Sequence, residues 1–167
     1  MTRFKNLAIE ALNNIHDRAN FQCGTEALDA YLKKQARQDI RRNTSRVFVA
    51  TMPDAPTKII GYYTLSSLSI DLRQLPEALV RSLPKHHLPA ALVGRLAVSQ
   101  VAQGYGVGTM LLSDAIKRTL AVSDNIAIYA IVVDAISKDA QRFYEQFGFS
   151  QLGADGPRLF LPLQSVQ

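Results

Sequence analysis

The stretch that decides the fold runs from residue 98 to residue 112 and has the sequence VSQVAQGYGVGTMLL. Its pattern is a strand end, a turn with three glycines and an apolar helix. Gly104, Gly106 and Gly108 permit a sharp turn because glycine has no Cβ atom. A helix that begins at such a turn directs unpaired N–H groups and the positive end of its dipole toward one point. The stretch therefore predicts a site for a phosphate or a diphosphate.

Three phosphate-binding loops can be compared with this stretch. A nucleoside-triphosphate loop needs Lys after its last glycine, whereas Thr109 follows Gly108, and this excludes it. A dinucleotide loop has the pattern G-x-G-x-x-G, which the chain lacks, although Asp134 lies roughly where a ribose-binding acid falls, so this alternative stays open. The third pattern, Gln/Arg-x-x-Gly-x-Gly, is matched from Gln103 to Gly108. A glycine turn that only packs a helix onto a strand is the purely structural alternative.

Length and composition indicate a globular chain. With 167 residues, of which 47% are hydrophobic, we expect one domain over residues 1–167. No apolar run approaches the ~20 residues of a membrane span, and the N-terminus lacks a signal-type apolar core, so we expect no membrane association and a cytoplasmic location. Cys23 is the only cysteine, and no third ligand lies near His86 and His87, so we expect neither a disulfide nor a metal site.

Positive charge is concentrated in residues 33–46, where six basic residues stand against Asp39 alone, in a chain of formal net charge +5. The six are Lys33, Lys34, Arg37, Arg41, Arg42 and Arg46. An apolar stripe with a spacing of four residues, from Leu28 to Ile40, predicts one helix or two short helices with the basic side chains on the opposite face. A solvated surface is the ordinary explanation of such a run. Because acidic residues are nearly absent, we instead expect a polyanionic partner, with nucleic acid first and an acidic protein segment second.

The remaining pattern alternates strands and helices. Predicted strands cover residues 5–10, 46–52, 58–65, 91–98, 126–133 and 158–163; predicted helices begin at Thr25, at the glycine loop and at Ser137. The runs 46–52 and 58–65 flank the turn-rich segment PDAPT and predict a hairpin. The apolar runs 91–98 and 126–133, with a helix between them, predict a parallel βαβ unit. Residues 71–90 contain three prolines and predict a loop with at most a short helix at 77–82.

A second motif follows the glycine loop and makes the pattern specific. It has the form V-x-A-x-S-x-x-A-x-x-F-Y-x-x-x-G-F and is occupied by Val133, Ala135, Ser137, Ala140, Phe143, Tyr144, Gly148 and Phe149. With both motifs in this order, the chain resembles the GNAT acyltransferases. A closer resemblance, over roughly residues 15–150, is to toxins of bacterial type II toxin–antitoxin modules, the TacT/AtaT/KacT group. It is carried by FQCG at 21–24, LDAYL at 28–32 with the basic helix, GYY at 61–63 and GRLAV at 94–98.

The resemblance implies the α/β GNAT fold, with a mixed central β-sheet flanked by helices in a single domain. It also implies acetyl-coenzyme A as co-substrate, with the diphosphate on the glycine loop and no metal. The positions that it assigns to coenzyme binding are Leu96, Ala97, Val98, Gln103, Gly104, Tyr105, Gly106, Val107, Gly108, Thr109, Ser137 and Phe143.

Tyr144 is the predicted general acid. A phenol with a pKa near ~10 donates to a thiolate whose conjugate thiol has a pKa near ~8.5, and it stays protonated at neutral pH. The resemblance gives this position the same role, and the alternative is a core tyrosine packed beside Phe143 and Phe147. We assign no general base, although Glu145, Asp134 and His87 are candidates. We interpret Cys23 as structural, because only the adjacent helix end would lower its pKa.

The predicted function is transfer of acetyl from acetyl-coenzyme A to the α-amino group of aminoacyl-tRNA, which inhibits translation. The six basic residues of 33–46 are the predicted tRNA contacts, through phosphates. The resemblance also implies a ribbon-helix-helix antitoxin, operator DNA bound only through the antitoxin complex, and a homodimer. The alternatives are acetylation of a protein, a peptide or a small molecule, and a non-catalytic regulator that senses coenzyme A.

Overall fold

The computed structural model describes residues 3–84 and 87–167, so His86 lies outside the described residues. The eight strands of the described ranges form a mixed sheet in the order β1 (Ala8–Ala11), β2 (Arg46–Thr51), β3 (Gly61–Ile70), β4 (Leu88–Val93), β6 (Ala130–Asp134), β8 (Arg158–Pro162) and β7 (Ser150–Gln151), with β5 (Leu96–Val98) paired to β3. The predicted α/β class with a mixed sheet flanked by helices is confirmed. The Cα positions group into two compact units, residues 1–66 with 95–116 and residues 67–94 with 117–167. The single-domain assignment stays a prediction.

The first unit contains the N-terminal half of the chain and the glycine loop. Its elements are β1 (Ala8–Ala11), α1 (Glu26–Lys34), α2 (Ala36–Arg41), β2 (Arg46–Thr51), the start of β3 (Gly61–Ile70), β5 (Leu96–Val98) and the start of α4 (Val107–Ser123). Strand β2 pairs antiparallel with β1 and with β3, and β5 pairs antiparallel with β3. The predicted hairpin is therefore confirmed, and β3 extends to Ile70.

Alternating residues of β3 face two helical layers. Tyr62 packs in one core cluster with Leu28, Leu32 and Val47, which places α1 and α2 on its side of the sheet. A Cβ atom at Gly61 would lie 2.9 Å from Leu111 Cδ1, so α4 packs directly on the opposite side. The predicted stripe is confirmed, because Leu28 and Leu32 are buried, Ala36 is buried at the start of α2 and Ile40 packs against the same cluster.

The second unit contains the remaining strands. They are β4 (Leu88–Val93), β6 (Ala130–Asp134), β7 (Ser150–Gln151) and β8 (Arg158–Pro162), with helices α3 (Glu77–Val80) and α5 (Lys138–Glu145). Strands β4 and β6 run parallel, as predicted, and β8 pairs antiparallel with β6 and with β7. A core of Ile70, Leu88, Val132 and Phe160 lies on one face of these strands.

The prediction of one strand over residues 91–98 is wrong. The segment breaks after Val93, where β4 pairs with β6, and resumes at Leu96, where β5 pairs with β3. Both halves are apolar, so hydropathy did not separate them, although Gly94 interrupts the run. The predicted strand over residues 126–133 was also set too early, since β6 begins at Ala130, and the two-residue strand β7 was not predicted.

Candidate active site

The glycine loop, residues 103–108, leads into helix α4. Gly104 and Gly106 both have φ of +84°, a backbone conformation that L side chains rarely adopt, so glycine is required at both positions. Gly108 lies in the first turn of α4. Within the described residues, no N–H group of residues 104–109 donates to a main-chain carbonyl. Unpaired N–H donors at the positive end of a helix dipole suit an anion.

Gln103 stabilises this loop through two side-chain hydrogen bonds. Its Nε2 amide donates to the carbonyl oxygen of Cys23 at 2.7 Å and to that of Val98 at 2.9 Å. The side chain therefore ties the loop to β5 and to the segment that precedes α1. Its predicted contact with the coenzyme stays a prediction. Cys23 is 80 residues away in sequence, so no local signal points to this bond.

Strand β5 has one edge on β3 and the other edge directed away from it. Ser99 N–H donates to Ile60 O at 2.8 Å and Thr64 N–H donates to Arg95 O at 3.0 Å, so alternate residues of β5 bond to β3. Ala97 lies between Arg95 and Ser99 in this alternation and therefore also bonds to β3. The N–H groups of Leu96 and Val98 consequently point away from β3, where they can bind an amide-containing chain.

The other loop residues predicted to bind the coenzyme differ in their exposure. Val107 is buried, and its side chain would lie 3.5 Å from a Cβ atom at Gly61, so only its main chain is available to a ligand. Thr109 is exposed in the first turn of α4. Tyr105 is 39% exposed between the two left-handed glycines.

The six basic residues of 33–46 form a surface that we call the basic surface, and all six are exposed. Arg37 Nη2 donates to Asn14 Oδ1 at 3.1 Å, and Arg46 donates to Ile40 O and to the side chain of Asn43. The remaining four, Lys33, Lys34, Arg41 and Arg42, form no ion pair with any described residue. Their charge is therefore available to a partner.

A cleft of about 430 Å³ opens at the N-terminal end of the basic surface. Lys33 and Lys34 line it together with Glu26 and Asp29, and Gln100 closes the side next to the glycine loop. The two lysines therefore share their surroundings with two carboxyl groups. One of these, Asp29, accepts the Cys23 N–H at 2.9 Å.

Ser137, Phe143 and Tyr144 lie in the second unit, on and before α5. Ser137 is the predicted helix cap, and its Oγ accepts the Ala140 N–H at 3.1 Å. The Tyr144 ring lies 5.2 Å from the ring of Phe143 and 5.7 Å from that of Phe149. Tyr144 is thus both a core aromatic residue and the candidate acid.

The hydroxyl of Tyr144 forms no hydrogen bond with any described residue, and the residue as a whole is 4% exposed. Burial raises the pKa of Tyr144 well above the ordinary 10, and the charge of Asp134 raises it further. Tyr144 therefore stays protonated at every physiological pH, although its pKa matches that of a thiol less closely than the unperturbed value suggests.

Two other reactive residues considered from the sequence, Asp134 and Cys23, are not free to react. Asp134 accepts a hydrogen bond from Arg158 Nε at 3.0 Å in an ion pair, so it is not a free base. Cys23 is buried, and burial together with the hydrogen bond to Asp29 raises its pKa to about 11. A thiol of this kind is not a nucleophile at neutral pH, which agrees with the structural interpretation.

Arg95 is a residue whose contacts the sequence did not indicate. Its guanidinium carbon lies 3.6 Å from the centre of the Tyr31 ring, and the Tyr31 hydroxyl donates to Asp39 Oδ2 at 2.8 Å. Burial raises the pKa of Tyr31 to about 12. The stack joins the start of β5 to the inner face of α1, and its only sequence signal is an arginine within an apolar run.

In the described part of the chain, no cluster of three or more His, Cys, Asp and Glu residues suits a metal ion, and no helix is long and apolar enough to span a membrane.

The chain is similar to proteins of known family over nearly its whole length. The family model of the acetyltransferase (GNAT) domain matches residues 43–151. The probable toxin TacT of Sinorhizobium fredii (strain NBRC 101917 / NGR234) is 34% identical over 168 residues, which cover 95% of this chain and 92% of that protein. The tRNA-acetylating toxin of Mycobacterium tuberculosis (strain ATCC 25618 / H37Rv) is 34% identical over 156 residues, which cover 93% and 92%.

Solved toxin structures also align with the chain over nearly its whole length. A tyrosine-to-phenylalanine mutant of KacT aligns with a TM-score of 0.90 at 30% identity, over 96% of both chains. AtaT complexed with acetyl-methionyl-tRNAfMet aligns with a TM-score of 0.89 at 28% identity, over 96% of this chain and 97% of that chain. AtaTR bound with acetyl-coenzyme A aligns with a TM-score of 0.83 at 29% identity, over 96% and 95%. The chain therefore belongs to the GNAT acetyltransferase family, in the branch that includes these toxins.

Proposed function

We propose that this protein is a toxin that transfers acetyl from acetyl-coenzyme A to the α-amino group of aminoacyl-tRNA and thereby blocks translation. The observation that carries the proposal is the similarity to two toxins at 34% identity over more than nine-tenths of the chain, one of them named as tRNA-acetylating. The free N–H groups of the glycine loop support it from the structure, because the donor that it requires contains a diphosphate.

Residues 104–109 would hold the diphosphate of the donor with their N–H groups. The outward N–H groups of Leu96 and Val98 would bind the amide-containing arm and polarise the thioester carbonyl. Positioning of the two reactants contributes several kcal/mol of the barrier reduction.

The acetyl transfer itself forms one C–N bond and breaks one C–S bond. The neutral amine adds to the thioester carbonyl, and collapse of the tetrahedral species expels the coenzyme thiolate. Tyr144 would donate its proton to that sulfur, the ammonium group of the tetrahedral species would lose its extra proton to solvent, and Tyr144 would regain a proton from solvent. No side chain is assigned as base, since the α-amine of an aminoacyl ester is less basic than that of lysine.

The basic surface supports tRNA as the acceptor. Four of its cations have no ion-pair partner among the described residues, so a phosphate backbone would replace water and counterions rather than carboxylates. AtaT, at 28% identity, is solved with an acetylated tRNA, which supports the same acceptor class here.

We also propose the partners of a toxin–antitoxin module. AtaT is solved bound to the C-terminus of the antitoxin AtaR, and KacTA is solved in complex with DNA. We infer that a ribbon-helix-helix antitoxin neutralises this protein and carries operator DNA, that the protein is a homodimer, and that it acts in the cytoplasm, where charged tRNA is found.

The test is a reaction with labelled acetyl-coenzyme A. The purified protein is incubated with total charged tRNA, with deacylated tRNA and with a mixture of peptides and small amines, and the labelled species are identified. We expect label on the amino acid of charged tRNA only. Label on peptides or small amines would favour a different acetyltransferase, and binding of coenzyme A without any transfer would favour a regulator.

A further inference from the structure

The segment that forms the coenzyme site contains no positive side chain of its own. Residues 96–116, which include β5, the glycine loop and the first half of α4, have no Lys, Arg or His. Coenzyme A carries a diphosphate and a 3′-phosphate, whereas main-chain N–H groups supply only partial charges. A full positive charge near the loop must therefore come from another part of the chain.

The N-terminal segment places such a charge at the loop. Phe4 is buried, with its ring edge-to-face at 5.4 Å from the ring of Tyr105. The guanidinium carbon of Arg3 lies 5.7 Å from the centre of the Tyr105 ring and 5.8 Å from that of Phe4. Tyr105 separates the two left-handed glycines of the loop, so its ring fixes the position of Arg3 relative to them.

Arg3 is exposed and forms no ion pair with any described residue. Its two aromatic neighbours attract the cation through their ring faces, and no described residue accepts a hydrogen bond from its N–H donors. A planar guanidinium with free donors suits the geometry of a phosphate and binds it through two parallel hydrogen bonds.

We infer that Arg3, held by Phe4 and Tyr105, is a coenzyme-binding residue that pairs with a phosphate of acetyl-coenzyme A at the glycine loop. The inference rests on the proposed function, because it assumes the same donor. The N-terminal segment then belongs to the coenzyme site, although it lies about 100 residues before the loop in sequence.

The test is calorimetric titration of coenzyme A and of 3′-dephospho-coenzyme A into the full chain and two variants. Arg3→Ala removes the guanidinium. Lys5→Ala is the matched control, because it removes the same charge from an exposed residue of the same segment. Thermal unfolding of each variant checks that the fold is retained.

We expect Arg3→Ala to weaken coenzyme A binding about 3- to 20-fold at low ionic strength, with a smaller effect in high salt, and Lys5→Ala to bind as the unaltered protein does. Equal losses with both ligands assign the contact to the diphosphate, and a loss confined to coenzyme A assigns it to the 3′-phosphate.

Unchanged affinity in Arg3→Ala, or an equal loss in Lys5→Ala, would overturn the inference and leave the proposed function intact. An unaltered protein that binds neither ligand would overturn both.

Discussion

Tyr144 is the residue to which we assign the proton transfer. Its ring is packed between Phe143 and Phe149, so Tyr144→Phe should keep the fold and lose only the hydroxyl. We expect the turnover of charged tRNA to fall by roughly 100-fold or more, the range typical of a lost general acid, with unchanged affinity for acetyl-coenzyme A. Single-turnover kinetics and calorimetry measure the two quantities. Full activity in the variant would exclude Tyr144 as the acid.

The raised pKa of Cys23 predicts that the protein loses stability at alkaline pH. Its pKa is about 11 in the folded protein against an ordinary 9.0, so the folded state holds the proton more tightly than the unfolded state. The resulting stabilisation is complete below pH 9 and is lost as the pH rises toward 11. Denaturant unfolding at pH 8 and pH 10.5 should therefore show a smaller loss of stability in Cys23→Ala than in the unaltered protein. Equal losses would show that the thiol is not perturbed.

At the level of single residues, the sequence predicts which residue types the turn requires, but it does not predict contacts between distant segments. Gly104 and Gly106 follow from the turn itself, because a positive φ leaves few alternatives to glycine. The bond from Gln103 to Cys23 joins segments that no local pattern connects. The pKa of Tyr144 likewise depends on burial and on Asp134, which a sequence pattern does not measure.

Among the elements, β5 and the start of α4 both approach β3 more closely than a side chain at residue 61 allows. A Cβ atom at Gly61 would lie 2.9 Å from the Ala97 carbonyl oxygen, which is main chain and cannot move aside without loss of β-pairing. We expect Gly61→Ala to destabilise the protein by about 1–3 kcal/mol, measured by denaturant unfolding. The control Ser69→Ala, at an exposed position of the same strand, should change stability by less than about 0.5 kcal/mol. If both variants were equally stable, the close approach would have no energetic consequence.

The basic surface predicts a loss of tRNA modification without a loss of donor binding. Replacing Lys33, Arg37 and Arg41 together by Glu reverses three exposed charges on α1 and α2 while leaving their buried stripe intact. We expect tRNA acetylation to fall to background and acetyl-coenzyme A affinity to stay within about twofold, since tRNA binding depends on phosphate contacts. The same assay with Arg81→Glu, an exposed arginine of the second unit, is the control. Retained acetylation in the triple variant would remove the basic surface from the tRNA site.

Elements were predictable where the residue pattern itself carries the information. The stripe of α1 and α2, the hairpin of β2 and β3 and the Ser137 cap are local features, and the structure confirms them. The division of residues 91–98 into β4 and β5 was not predictable from hydropathy, because each half is apolar and only the choice of partner strand separates them.

For the whole molecule, we propose above all that the glycine loop holds the diphosphate of acetyl-coenzyme A. Calorimetric titration of acetyl-coenzyme A into the protein and into Gly106→Ala tests it directly. A Cβ atom at residue 106 would have no neighbour within 4 Å, so this change disturbs the left-handed backbone without a clash. We expect saturable one-site binding by the unaltered protein and at least about 10-fold weaker binding by the variant, with both folded. Absence of binding to the unaltered protein, or equal affinity in the two, would contradict it.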